Sequence, residues 1–89
     1  MEQKVEQQLD GIVVDIKAYI CELAFIDDDE IGDDGALFSA GLIDSVSLIQ
    51  LVGFVEKRCK IKITPSQLTL ENWDSLSRIR DFVARSLAA

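Results

Sequence analysis

Leu37-Phe38-Ser39-Ala40-Gly41-Leu42-Ile43-Asp44-Ser45-Val46 is the stretch on which the reading of this chain turns. Its apolar residues, Leu37, Phe38, Leu42 and Ile43, follow no helical period. Left exposed they would make a sticky patch, so they are expected to pin a long loop onto the core. Asp44 or Ser45 then opens a helix, since both residue types favour a helix amino terminus. Leu48, Leu51, Val52, Val55 and Cys59 follow at steps of three and four, and Lys57, Arg58 and Lys60 complement the negative end of the helix dipole.

Upstream, Val5, Leu9, Ile12, Val13, Ile16, Ile20 and Leu23 mark one face of a helix from about residue 3 to 25. Asp27 to Gly35 breaks every period with acids and glycines and reads as a loop. Downstream, Thr64-Pro65-Ser66-Gln67 is a capping box with proline at the first helical position, so a short third helix is expected to begin there. Asn72-Trp73-Asp74-Ser75 restarts the chain, and Leu76, Ile79, Phe82, Val83 and Leu87 give a fourth helix. Trp73, at that junction, is expected to pack as a lid on one end of the bundle. Ile61 to Ile63 is the only strand candidate, and it is too short to build on. The fold class is all-α: a four-helix bundle with a short third helix and a long loop between helices one and two.

Composition narrows the function. Eighty-nine residues make one domain, taken as 1–89, and 48% hydrophobic residues suffice for a folded core. There is no histidine, which removes the commonest general base and most zinc sites. Cys21 and Cys59 form no metal or disulfide pattern and read as core thiols. No apolar run approaches the roughly 18 residues of a membrane span, and Met1-Glu2-Gln3-Lys4-Val5-Glu6 does not read as a signal peptide. The expectation is a soluble, cytoplasmic monomer without membrane insertion. Net charge is −7, concentrated in residues 1–44, where twelve acids face only Lys4 and Lys17. Such a surface repels nucleic acid and favours basic protein partners. Asp27-Asp28-Asp29-Glu30 suggests calcium, but the fifth and twelfth positions of an EF-hand loop begun at Asp27 fall on Ile31 and Phe38, so no metal site is expected.

Ser45 fails as a catalytic nucleophile, having no histidine partner, no nearby lysine and no Gly-x-Ser-x-Gly elbow. No acid–base pair assembles elsewhere, so no catalytic residue is assigned and the chain is not read as an enzyme. A serine opening a helix is nonetheless well placed to carry a phosphate ester, because free backbone N–H groups and the helix dipole favour an anion there. On the residues alone, an ordinary helix start at Asp44 and Ser45 is the favoured reading.

Leu37-Phe38-x-x-Gly41-Leu42-x-Asp44-Ser45 resembles the attachment motif of the acyl carrier protein family, in the form found in stand-alone D-alanyl and related aminoacyl carriers. Leu70-Glu71-Asn72-Trp73-Asp74-Ser75 resembles the acidic-Trp-Asp junction of the D-alanyl carriers, and the helix order extends the likeness over nearly the whole chain. The resemblance implies that Ser45 receives covalent 4′-phosphopantetheine from coenzyme A through a phosphopantetheinyl transferase. Asp44 would help to position magnesium and the transferase. An adenylating acyl or aminoacyl ligase would load the arm, and downstream acyl-transfer or tailoring enzymes would read it. In the family, helix two and the loop before it form the docking surface, which puts Leu42, Val46, Ile49 and Gly53 at the partner contact. Two departures narrow the type. Helix two has Glu56 as its only acid after Asp44, unlike the acid-rich helix of fatty-acid carriers, and the Gly-Gly form of synthetase-embedded peptidyl carriers is absent. The ends also fall close to the domain limits, as in a discrete carrier. The competing reading is an unmodified acidic helical module that acts as a binding partner or inhibitor.

Overall fold

The computed structural model describes residues 2–88, with side-chain surroundings from Gln8 onward. Four α-helices follow in order: α1 Glu2–Ala24, α2 Ser45–Cys59, α3 Leu70–Trp73 and α4 Leu76–Ala88, with no strand among the described residues. The periodic apolar positions explain the packing. Leu9, Ile12, Ile16 and Ile20 of α1 face Leu51 and Val55 of α2 and Leu76, Ile79, Phe82 and Val83 of α4 in one buried cluster. Each such side chain taken from water contributes roughly 1.5–3 kcal/mol before chain entropy is set against it. Val13, Leu23, Leu48, Val52 and Leu87 border the cluster half-buried. Val5 lies outside the described side chains.

The long α1–α2 segment is anchored as its apolar residues require. Ile31, Leu37 and Ile43 are buried, and Phe38 and Leu42 pack against the cluster. Within the segment, Asp28–Glu30 forms a 3-10 turn closed by a reciprocal capping box between Asp27 and Glu30. These two acids therefore have a structural use. α1 and α2 run antiparallel: Arg58 Nε lies 2.7 Å from Asp15 Oδ2, and the Phe54 ring stacks on Tyr19 with centroids 4.5 Å apart.

Two expectations are corrected. The Thr64–Gln67 capping box exists, but it closes only a 3-10 turn, Pro65–Gln67, and the short third helix begins at Leu70. The Gln67 carbonyl accepts hydrogen bonds from Trp73 Nε1 (2.9 Å) and Asn72 Nδ2 (3.0 Å). That carbonyl is thus turned to side chains instead of continuing a helix. Cys59, the last residue of α2, is half-buried and not enclosed, because the chain turns away directly after it at Lys60, φ 56°. Cys21 is buried as expected; its thiol donates to Asp28 Oδ1 at 3.4 Å, and burial foremost, with that carboxylate, pushes it above its usual range. Trp73 is buried, its ring tilted against Phe82 at 5.4 Å.

Candidate functional site

The head of α2 is built by one aspartate. Asp44 holds an extended backbone at the N-cap, its Oδ1 accepts the Ser47 N–H at 2.9 Å, and its carbonyl accepts the Leu48 N–H at 3.0 Å. The Ser47 N–H, and after it the Ser47 hydroxyl, hold the Asp44 carboxyl below the usual aspartate range, so it is ionised at neutral pH. Ser45 follows as the first helical residue. It is exposed, and its hydroxyl makes no hydrogen bond among the described residues. The oxygen is therefore open to an incoming group at the positive end of a helix of 15 residues. A phosphodiester on this oxygen would extend into water without displacing any packed side chain. The surroundings of Ser45 thus fit a phosphopantetheinyl group.

The loop that delivers Ser45 is set by hydrogen bonds hidden in the sequence. The Leu37 carbonyl accepts the N–H groups of Leu42 (2.9 Å) and Ile43 (3.1 Å), and the Phe38 carbonyl accepts that of Gly41 (3.0 Å). This tight turn needs Gly41 at φ 77°, a left-handed conformation that costs an L-residue roughly 1–2 kcal/mol. No atom lies within 4 Å of where its Cβ would stand, so the requirement is conformational and not steric.

Across the molecule, Asp74 grips the same loop. Its Oδ1 accepts the N–H groups of Phe38 (2.8 Å) and Ser39 (2.9 Å), and its Oδ2 accepts the Ser39 hydroxyl (2.6 Å). The Leu37 N–H donates to the Asp74 carbonyl at 2.8 Å. The Ser39 hydroxyl, then the Ser39 and Phe38 N–H groups, keep this carboxyl below its ordinary range. Asp74 had signalled itself only as part of a junction motif; its partners are more than thirty positions away, and no local pattern reports them.

Of the other candidates, Val46 and Ile49 share an exposed face of α2, while Leu42 and Gly53 are half-buried. Val46 and Ile49 are 66% and 69% exposed, a large apolar area for a helix whose opposite face already fills the core. Gly53, one further turn along that face, borders a groove with Tyr19, Gln50, Phe54 and Lys57. Leu42 is half-buried at the approach to Ser45. Among the described residues, no group of three or more acidic or cysteine side chains is arranged to hold a metal, and no helix is long and apolar enough to cross a membrane.

Residues 14–83 match the family described as the phosphopantetheine attachment site. The D-alanyl carrier protein of Streptococcus sanguinis strain SK36 is 30% identical over 69 residues, which cover 74% of this chain and 87% of that protein. The D-alanyl carrier proteins of Streptococcus gordonii and of Streptococcus thermophilus strain LMD-9 are each 29% identical over 69 residues, with the same coverage.

Proposed function

Because this chain belongs to the phosphopantetheine attachment-site family, whose members carry 4′-phosphopantetheine covalently and are carriers and not enzymes, we propose that Ser45 is its attachment residue and that residues 1–89 act as one discrete carrier domain. The observation that carries this reading is an exposed Ser45 at the head of α2, its hydroxyl unbonded among the described residues, directly after an ionised Asp44. In the loading step, Ser45 Oγ bonds to the coenzyme A phosphorus next to pantetheine as that phosphorus loses its bond to the bridging oxygen; the nucleotide half leaves as the bisphosphate, and the serine proton passes to a base of the transferase. Asp44 is a poor acceptor for that proton, since its hydrogen bonds stabilise the carboxylate. Its part is to fix the first turn of α2 and to offer negative charge to a divalent cation brought by the transferase. When bound, the arm supplies the thiol that holds an acyl or aminoacyl group as a thioester.

The carrier's own residues then present that cargo. Leu42, Val46, Ile49 and Gly53 form the contact for a phosphopantetheinyl transferase, an adenylating ligase and the downstream acyl-transfer or tailoring enzymes. Each meets the cargo at a raised effective concentration because it is tethered. The D-alanyl carriers among its relatives support a small amino acid as cargo.

Intact-protein mass spectrometry tests the assignment, after incubation with coenzyme A, magnesium and a phosphopantetheinyl transferase from the same organism. The wild type is expected to gain one phosphopantetheinyl group, and Ser45→Ala none while keeping its helical circular dichroism. A folded wild type that gains no mass would overturn the assignment and favour the unmodified acidic module. A mass gain retained by Ser45→Ala would move the attachment elsewhere.

A further inference from the structure

Phe25 breaks two local rules at once. It follows the last residue of α1 with φ 58°, and the Ile26 N–H bonds back to the Cys21 carbonyl at 3.1 Å, a helix-ending turn whose left-handed residue is usually glycine. Lys60 ends α2 in the same way, φ 56°, but there a charged side chain enters water beside the negative end of a helix dipole. At Phe25 it is an aromatic ring, 94% exposed, that enters water. Nothing within the described chain compensates for either the conformation or the exposure, and sites that break local rules without internal compensation are where function is sought.

Its position follows from helix register. Asp15 pairs with Arg58 and Tyr19 stacks on Phe54, so α1 and α2 are antiparallel and Phe25 falls level with Leu48. That is about 4.5 Å along the axis from Ser45, one interhelical spacing of about 8–10 Å across. Phe25 and the exposed Val46 and Ile49 therefore surround one end of the bundle, the end that carries Ser45. Beside Phe25 runs the turn Asp27–Glu30, held to the last turns of α1 by the Cys21–Asp28 hydrogen bond. Among the described residues none of these four carboxylates has a basic partner.

This charge selects the occupant. Carboxylates beside an apolar ring repel nucleic acid, anionic lipid and a second copy of the same face. They suit an apolar pocket on another protein with lysine or arginine at its rim. Among enzymes of a carrier cycle, the one that must reach the Ser45 oxygen itself is the transferase, whereas later enzymes reach only the end of a flexible arm. A stable contact covers about 800 Å² on each partner, so a patch centred on Ser45 takes in Phe25. We propose that Phe25 is a second anchor for the phosphopantetheinyl transferase, seated in a basic-rimmed apolar pocket and steered there by the Asp27–Glu30 turn. The inference rests on the reading of Ser45 as the attachment residue.

Initial rates of loading, measured against carrier concentration for wild type, Phe25→Gly, Phe25→Ala and Asp29→Lys, test it. Phe25→Gly relieves the left-handed conformation, so it should melt at or above the wild-type temperature and yet show KM raised roughly tenfold with kcat unchanged. Phe25→Ala should raise KM similarly. Asp29→Lys should lower kcat/KM and weaken its dependence on salt. Wild-type KM in both Phe25 variants would overturn the proposal, as would a wild-type dimer in sedimentation that the Phe25 variants disperse. Absence of any loading in the wild type is a different failure, because it overturns the attachment reading and this inference with it.

Discussion

The carboxylate of Asp74 joins residues 36 positions apart in the chain, taking two N–H groups and a hydroxyl from the loop that leads to Ser45. Asp74→Asn keeps the shape but removes the charge and one acceptor. It should cost about 1–2 kcal/mol, read from urea unfolding. The pH dependence has a definite sign. With its folded-state value lowered, Asp74 contributes stability that is present above the ordinary aspartate range and lost as pH falls below it toward the lowered value. Asp44 adds in the same direction. Unfolding midpoints measured downward from neutral pH should therefore decline on entering that acidic window, and Asp74→Asn should flatten part of the decline. An equal slope in both proteins would show that the joint does not depend on ionised Asp74.

At the scale of the helix, α2 serves two masters: Leu51 and Val55 fill the core while Val46 and Ile49 look outward, with the half-buried Gly53 a turn further on. A Cβ at Gly53 would meet no atom within 4 Å. Gly53→Ala should thus raise stability by about 0.5–1 kcal/mol through helix propensity, seen as a higher melting temperature. A loss of stability would mean that the groove beside Tyr19 closes more tightly than it does here. The long helices were legible because a period of three and four survives over many turns, and α1, α2 and α4 each bury the centre of the stripe that period selects, with Val13, Leu23, Leu48, Val52, Cys59 and Leu87 half-buried at its borders. The third helix was misplaced because Thr64-Pro65-Ser66-Gln67 carries a true capping signal, whereas what stops the turn is side-chain chemistry five and six residues on: Asn72 and Trp73 claim the Gln67 carbonyl. Ser45 and Asp44 stood out through residue type and place. Asp74 and Phe25 did not, one because its partners are distant, the other because an apolar residue at a helix end looks like core until its exposure is known.

Across the whole molecule, charge is divided by location. Arg58–Asp15 and Arg80–Asp10 tie α2 and α4 to α1, with side chains between about a third and two thirds exposed. Pairs so placed are screened by water, and Arg58→Gln or Arg80→Gln should change unfolding free energy by less than about 1 kcal/mol, less still in high salt. A larger loss for Arg58→Gln would point to the packing of its stem beside Gly11, where the guanidinium lies 3.9 Å from the position of a Cβ.

The single tryptophan of the chain sits directly under the Asp74 joint, 1% exposed, its indole N–H committed to the Gln67 carbonyl. The molecule therefore carries one native fluorophore at the place where the loop leading to Ser45 meets the far helices. Emission from a sealed, hydrogen-bonded indole is blue-shifted relative to one in water, so any event that lifts the loop will be written in that colour. Loading at Ser45, if it disturbs that joint, would then be followed from inside the protein, without a label on its surface.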